Sequence, residues 1–262
     1  MVLRGYFDDS GDPKKERFSA VGGLIGGKDQ WFSFEKAWSV ATYELKVPFH
    51  STDCEAQRGC CDGWSIERCN SLMKELVRII EGTQLHGVGF VVPIAEYRAV
   101  FPNADQVDPY FLALKQTIIN MAYVGRNTDG LGPVDIHMIH ELGPTSSAVV
   151  RIFNELKALK TWKDGQRLKQ LSHGDKALTG LQGADFVARE AFKHADNMGI
   201  RRIRKPLKAL KDRISLHLWT RECLEYLRDR GGQENLETLA SWGQTGEKPP
   251  QMIALWREGY GR

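Results

Sequence analysis

Apolar residues recur along the first 195 positions at two different spacings, and the changes between them place strands and helices in order. Residues 2–9 form an apolar run that ends in acidic turn chemistry. Phe18 to Ile25 forms a second extended run across the loop Asp12-Pro13-Lys14-Lys15, and the two predict a hairpin. Trp31, Phe34, Glu35, Trp38 and Tyr43 fall at helical spacing within 29–46, whereas 49–63 is polar, contains Gly and Cys, and reads as a loop. Ile66, Leu72, Met73, Leu76, Val77 and Ile80 recur at threes and fours and predict an amphipathic helix over 66–80. Strands follow at 85–92, 134–140 and 168–171. Helices follow at 109–124, at 146–159 behind a Pro-Thr-Ser-Ser cap signal, and at 178–194. Helix is expected again from Pro206 to Arg228, then short helices and loop from Gly231. Strands first, then strands alternating with helices, predict an α/β chain with a mixed sheet flanked by helices.

Composition changes this picture little. At 262 residues, 42% hydrophobic and 26% charged, the chain can hold one large core, and disorder is excluded for most of it. No apolar run is long enough to cross a bilayer, and the turn chemistry from Asp8 to Pro13 comes too early for a signal peptide, so a cytoplasmic protein is expected. Five cysteines cannot all pair. Cys54, Cys60, Cys61 and Cys69 cluster near His50 but contain no C-x-x-C, so buried or idle thiols are expected in preference to zinc. The net charge of +3 excludes little; its distribution matters more. Arg201, Arg202, Arg204, Lys205, Lys208, Lys211 and Arg213 crowd one stretch, which is either a solvated helix face or a patch that tracks phosphates.

Four segments carry candidate chemistry and a fifth imitates it. Gly22-Gly23-Leu24-Ile25-Gly26-Gly27-Lys28 fits most of a phosphate loop, but Asp29 stands where Ser or Thr should bind magnesium, so a glycine-rich strand end is expected. Tyr6-Phe7-Asp8-Asp9-Ser10-Gly11 ends an apolar strand in an acidic pair, which alone is also an ordinary surface turn. In the helix around Leu181-Gln182-Gly183-Ala184-Asp185, spacing turns Asp185 toward the apolar face, where a carboxylate needs a partner. That partner is a metal or a salt bridge, for instance to Arg189. Gly183 and Ala184 would let this helix approach a sheet closely. At the end of strand 134–140, alternation puts His137 and Glu141 on one face and His140 on the other. The loop Phe49-His50-Ser51-Thr52-Asp53-Cys54-Glu55 is rich in ligand types without specifying a geometry.

Together, Y-F-D-D-S-G at the start and L-Q-G-A-D-F-V-A later resemble the family filed as domain of unknown function 3800, with F-H-S-T-D and the strand ending H-E in the expected order between them. The resemblance spans roughly residues 2–195. It implies a ribonuclease-H-like mixed sheet over 1–200, with a helical C-terminal extension, 201–262, packed on the same domain. It implies a nuclease that cuts DNA or RNA with Mg2+ or Mn2+, in a mobile-element or defence setting. Asp8 takes the first-strand carboxylate and Asp185 the late helical one. Glu141 is assigned as the third ligand, with His140 and Asp53 as alternatives. Asp9, where the family has Glu, His50, Asp53, His173 and Lys176 are auxiliary candidates, the last two to orient phosphate or shuttle a proton. Arg201, Arg202, Arg204, Lys205 and Lys208 are expected to contact nucleic acid. The competing expectation is a binding or interaction module that keeps the fold without catalysis. The two separate on whether the carboxylates converge without a Lys or Arg clamp between them.

Overall fold

Strand β1, Val2–Gly11, has neighbours on both sides. It pairs antiparallel with β2, Phe18–Gly26, and parallel with β4, Asp135–Glu141. The computed structural model describes residues 2–12, 14, 16–102, 108–127, 134–198, 200, 202, 204–232, 235–245 and 253–254. β3, His86–Pro93, continues the antiparallel meander beside β2. β5, Leu168–Gly174, adds to β4 in parallel, and β6, Ile214–Leu218, adds to β3 in parallel. The two-residue β7, Ile253–Ala254, pairs antiparallel with β6 and completes the order β5-β4-β1-β2-β3-β6-β7. The fold is therefore a mixed α/β sheet with β1 inside it.

Two expectations fail locally. The stretch 206–228, expected as helix, is α8 (Lys205–Ala209), strand β6 and α9 (Arg221–Arg228). Ile214, Leu216 and Leu218 alternate at period two and are buried beside the open edge of β3, but five residues are too few to stand out from flanking helical signals. The segment beyond residue 200 thus contributes a strand to the main sheet and is not purely helical. The expected loop 49–63 holds α2, Ser51–Ala56, and a 3-10 turn at Gly59–Cys61.

Strand alternation divides the core. Leu3, Phe7, Val21, Ile25, Ile136 and Met138 pack on one side with α4, Ile94–Val100, α5, Pro109–Asn127, and α6, Ser146–Ala158. Tyr6, Leu24, Val91 and Ile139 pack on the other with α1 (Lys28–Ala41), α3 (Ile66–Gly82) and α7 (Thr179–Asp196). Helix α7 lies across β1 and β2 and is buried along most of its length. Its approach depends on glycine from both directions. A Cβ at Gly22 would stand 2.6 Å from the Ala188 backbone nitrogen, and one at Gly180 would meet the Tyr6 ring at 2.7 Å. Gly22, Gly23 and Gly26 therefore belong to β2, as the strand-end reading expects, and Gly22 makes room for α7. Among the described residues no helix is long and apolar enough to cross a membrane.

Candidate functional site

Alternation along β1 turns Asp8 to the α7 side, the side on which Tyr6 packs, while Phe7 faces α5. Phe7 pairs with His140, so Asp8 and Glu141 sit one residue further along two parallel strands, at their carboxyl ends. Asp185 reaches the same place from about two turns into α7. Asp8 and Asp185 are each 3% exposed, which makes their ionisation costly without a nearby cation.

That cation is Lys176, in the loop between β5 and α7. Its Nζ stands 3.7 Å from Asp8 Oδ2, 3.5 Å from Glu141 Oε2 and 3.8 Å from Asp185 Oδ1. The three carboxylates expected from the sequence do converge, and they converge around a lysine. One positive charge faces three negative ones, a formal balance of −2 when all are ionised. Burial and then the charge of Asp185 push the Asp8 carboxyl well above its usual range; Lys176 opposes this, while Glu141 and Asp9 add to it. For Lys176, burial disfavours the charged form, but the three carboxylates outweigh it and raise its pKa. Asp8 Oδ1 accepts the Asp9 amide at 2.8 Å, whereas Oδ2 is buried without a hydrogen-bond partner among the described residues.

The 50–55 segment supports Asp185. The Ser51 amide donates to Asp185 Oδ2 at 2.8 Å, and His50 Nε2 stands 3.4 Å from Oδ1. His50 Nδ1 is 3.4 Å from Asp53 Oδ2, and Arg58 donates to Asp53 Oδ1 at 3.1 Å. His50 therefore joins the site through Asp185, and Asp53 stands behind His50, away from a first ligand position. Ser51 was not singled out from the sequence, because it acts through its amide and no side-chain type signals that. Arg189, the salt-bridge partner considered for Asp185, instead binds Glu55 at 2.7 Å.

His140 faces the opposite side of the sheet from the carboxylates. Its Nε2 is 3.2 Å from the Tyr110 hydroxyl and its ring lies 5.0 Å from Phe7. Strand alternation thus sets His140 apart from Asp8 and Asp185, and Glu141 is the residue of β4 that stands with them around Lys176. Burial, then His173, lowers the His140 pKa to about 4. His173 pairs across from His140 on β5, with its ring 5.8 Å away and both its nitrogens buried without a hydrogen-bond partner among the described residues. It keeps company with His140 and not with Lys176. A cleft of about 900 Å³ opens at these strand ends. Asp8, Asp9, His140 and Glu141 line it together with Arg98 and Tyr110, but Asp185 and Lys176 do not.

The basic stretch divides. Arg204 Nη1 lies 2.7 Å from Glu55 Oε1 and 3.0 Å from Glu190 Oε1, so its guanidinium is engaged by a half-buried and a buried carboxylate. Arg202, Lys205 and Lys208 are exposed, and Arg201 lies outside the described residues.

The carboxylate oxygens of Asp8, Glu141 and Asp185 do not all lie within 4.8 Å of one another. Among the described residues, the one group of three metal-type donors within 4.8 Å of each other is Cys54, Cys61 and Cys69, whose soft sulfurs do not suit Mg2+ or Mn2+. Compared with known proteins, the chain matches no family model, no curated protein and no solved structure.

Proposed function

We propose that the chain is a divalent-metal-dependent nuclease of the ribonuclease-H-like class, akin to the domain of unknown function 3800 family, hydrolysing phosphodiester bonds of DNA or RNA. The observation that carries this reading is the convergence of Asp8, Glu141 and Asp185 at adjacent parallel strand ends with one lysine among them, leaving a buried Asp8 oxygen without a hydrogen-bond donor among the described residues. An under-compensated cluster of hard oxygens is the donor set that magnesium or manganese takes. The order β5-β4-β1-β2-β3, three antiparallel strands with two parallel strands added beyond β1, supports the ribonuclease-H-like reading. So does the site's position at the carboxyl ends of the parallel strands.

In this reading Asp8, Glu141 and Asp185 hold the ions, which supply Lewis acidity and an activated water when bound. Lys176 is the cation that balances the carboxylates before metal enters. Its side chain is about a quarter exposed, so its ammonium can turn outward to a phosphate once the centre is taken. His50 and the Ser51 amide fix the orientation of Asp185. Arg98, on the wall of the cleft, is suited to a phosphate contact. Lys176 also favours a second reading: a fixed lysine at the centre of three carboxylates is the clamp expected of a binding module that does not cut.

The deciding experiment incubates labelled single- and double-stranded DNA and RNA with the protein in Mg2+, Mn2+ or chelator. The nuclease reading expects metal-dependent cleavage that Asp8→Asn and Asp185→Asn each reduce by at least about 10²-fold. The double variant should lose little more, because residues acting as a unit are non-additive. Cleavage by both single variants at the wild-type rate overturns the assignment. Equal nucleic-acid binding in chelator with no cleavage in any metal gives the second reading.

A further inference from the structure

Four of the five cysteines fall between positions 54 and 69, and the fold gathers them from three elements. Cys54 comes from α2, Cys60 and Cys61 from the 3-10 turn, and Cys69 from the first turn of α3. All four are buried as free thiols. The sulfurs of Cys54, Cys61 and Cys69 lie within 4.8 Å of one another, and Cys60 Sγ is 3.7 Å from Cys61 Sγ. Four sulfurs held tetrahedrally at about 2.3 Å from one ion stand about 3.8 Å apart. Three of the sulfurs are therefore within about 1 Å of that geometry. Cys60 matches it toward Cys61 but stands farther than 4.8 Å from Cys54 or Cys69, so its side chain would turn inward to complete the set.

We propose that Cys54, Cys61 and Cys69, with Cys60 as fourth donor, form a structural thiolate site for zinc. The site is distinct in place and chemistry from the carboxylate centre, because soft sulfur selects zinc and hard oxygen selects magnesium or manganese. The surroundings show what the metal does. A six-residue helix and a three-residue turn have no stability of their own, since helices this short do not repay their nucleation. The segment between α1 and α3 is anchored by Glu55 on Arg189, Lys193 and Arg204 and by the Ser51 amide on Asp185, and its sulfurs meet within it. The His50 amide donates to Cys60 Sγ at 3.4 Å, a contact of the kind that holds a metal-bound thiolate in place. His50 and Ser51 are the residues that contact Asp185, so the metal would brace the segment that orients this carboxylate.

The test uses the full-length protein, purified in reductant without chelator. Elemental analysis is expected to find about one zinc per chain. Co2+ added to the stripped, reduced protein should give the visible bands of tetrahedral cobalt and a near-ultraviolet thiolate-to-cobalt band. Cys61→Ser and Cys69→Ser should lose these bands, whereas Cys223→Ser, whose thiol is buried in the other core cluster, should keep them. The wild-type cobalt spectrum stands even if the Ser variants fold poorly. The proposal fails if the reduced wild type takes up neither zinc nor cobalt. It fails if cobalt binds without thiolate bands, or if the cluster variants bind it as the wild type does. A mass about two units low in the chelated protein, marking a disulfide within the cluster, also overturns it. None of these readouts depends on nuclease activity.

Discussion

Asp8 and Glu190 are both buried carboxylates with unfavourable ionisation, but they differ in partner and consequence. Asp8 Oδ2 shares its surroundings with Asp185, Glu141 and Lys176 and, among the described residues, accepts no hydrogen bond. An amide in its place would donate to the two carboxylates, so Asp8→Asn is expected to stabilise the protein in chelator at neutral pH by about 1 kcal/mol, as substitutions at strained functional sites commonly do. Melting in chelator and in Mn2+ checks this: the wild type should gain from the metal and the variant should not. A variant less stable than the wild type in chelator would show that the attraction of Lys176 for the Asp8 carboxylate outweighs the repulsion from its neighbours. Glu190 has its pKa raised from 4.5 to about 7, chiefly by burial, with Glu55 adding and Arg204 opposing. Because the folded value is the higher, the stability Glu190 contributes is fully present below about pH 4.5 and is lost as pH rises through about 7. Glu190→Gln mimics the protonated form. It should unfold like the wild type near pH 4.5 and be more stable at pH 8, by at most about 3 kcal/mol. An equal difference at both pH values in urea titrations would remove the titration from the explanation.

At the scale of elements, the contact of α7 with β2 decides where Asp185 stands. The backbone of Ala188 leaves no space for a side chain at Gly22. Gly22→Ala must push the helix off the strand, at a cost of about 1–3 kcal/mol or more, the usual range for overpacking. The same shift moves Asp185 away from Asp8. Under conditions where the variant is folded, cleavage should therefore fall further than the loss of folded protein, since a displacement near 1 Å can cost about 10²-fold. Thermal melts alongside cleavage assays separate the two effects. Wild-type stability in Gly22→Ala would mean that the close approach is not required.

Over the whole molecule, charge is used in two ways that one basic stretch conceals. Arg204 joins Arg189 and Lys193 around Glu55 and helps to balance Glu190, so Arg204→Ala should destabilise the fold without changing the salt dependence of nucleic-acid binding. Arg202, Lys205 and Lys208 are exposed. If each meets a phosphate, changing all three to Ala should reduce the slope of log K against log salt by about 2–3, because fewer counterions are released. Fluorescence anisotropy across a salt series measures that slope. An unchanged slope would assign the three side chains to a solvated face.

The strands β1 to β4 and the helices α3, α5, α6 and α7 were readable in the chain because each is a long periodic segment whose apolar side is fixed by local geometry. So were Asp8, Glu141 and Asp185 as candidates, and the opposite facing of His140 and Glu141, which follows from period two on one strand. β6 was hidden because five residues become a strand only when β3 offers them an edge. Lys176 at the centre of the carboxylates could not be read either, since a loop residue takes its direction from β5 and α7 and carries no period of its own. The diversion of Arg204 to Glu55 and Glu190 spans contacts remote in sequence, as does the seat of Ala188 on Gly22. The cysteines show the same division most simply. Their spacing contains no metal motif, and their sulfurs meet only after the chain between α1 and α3 folds back on itself. Periodicity is written in neighbouring residues, whereas convergence is decided by which elements the packed core brings together.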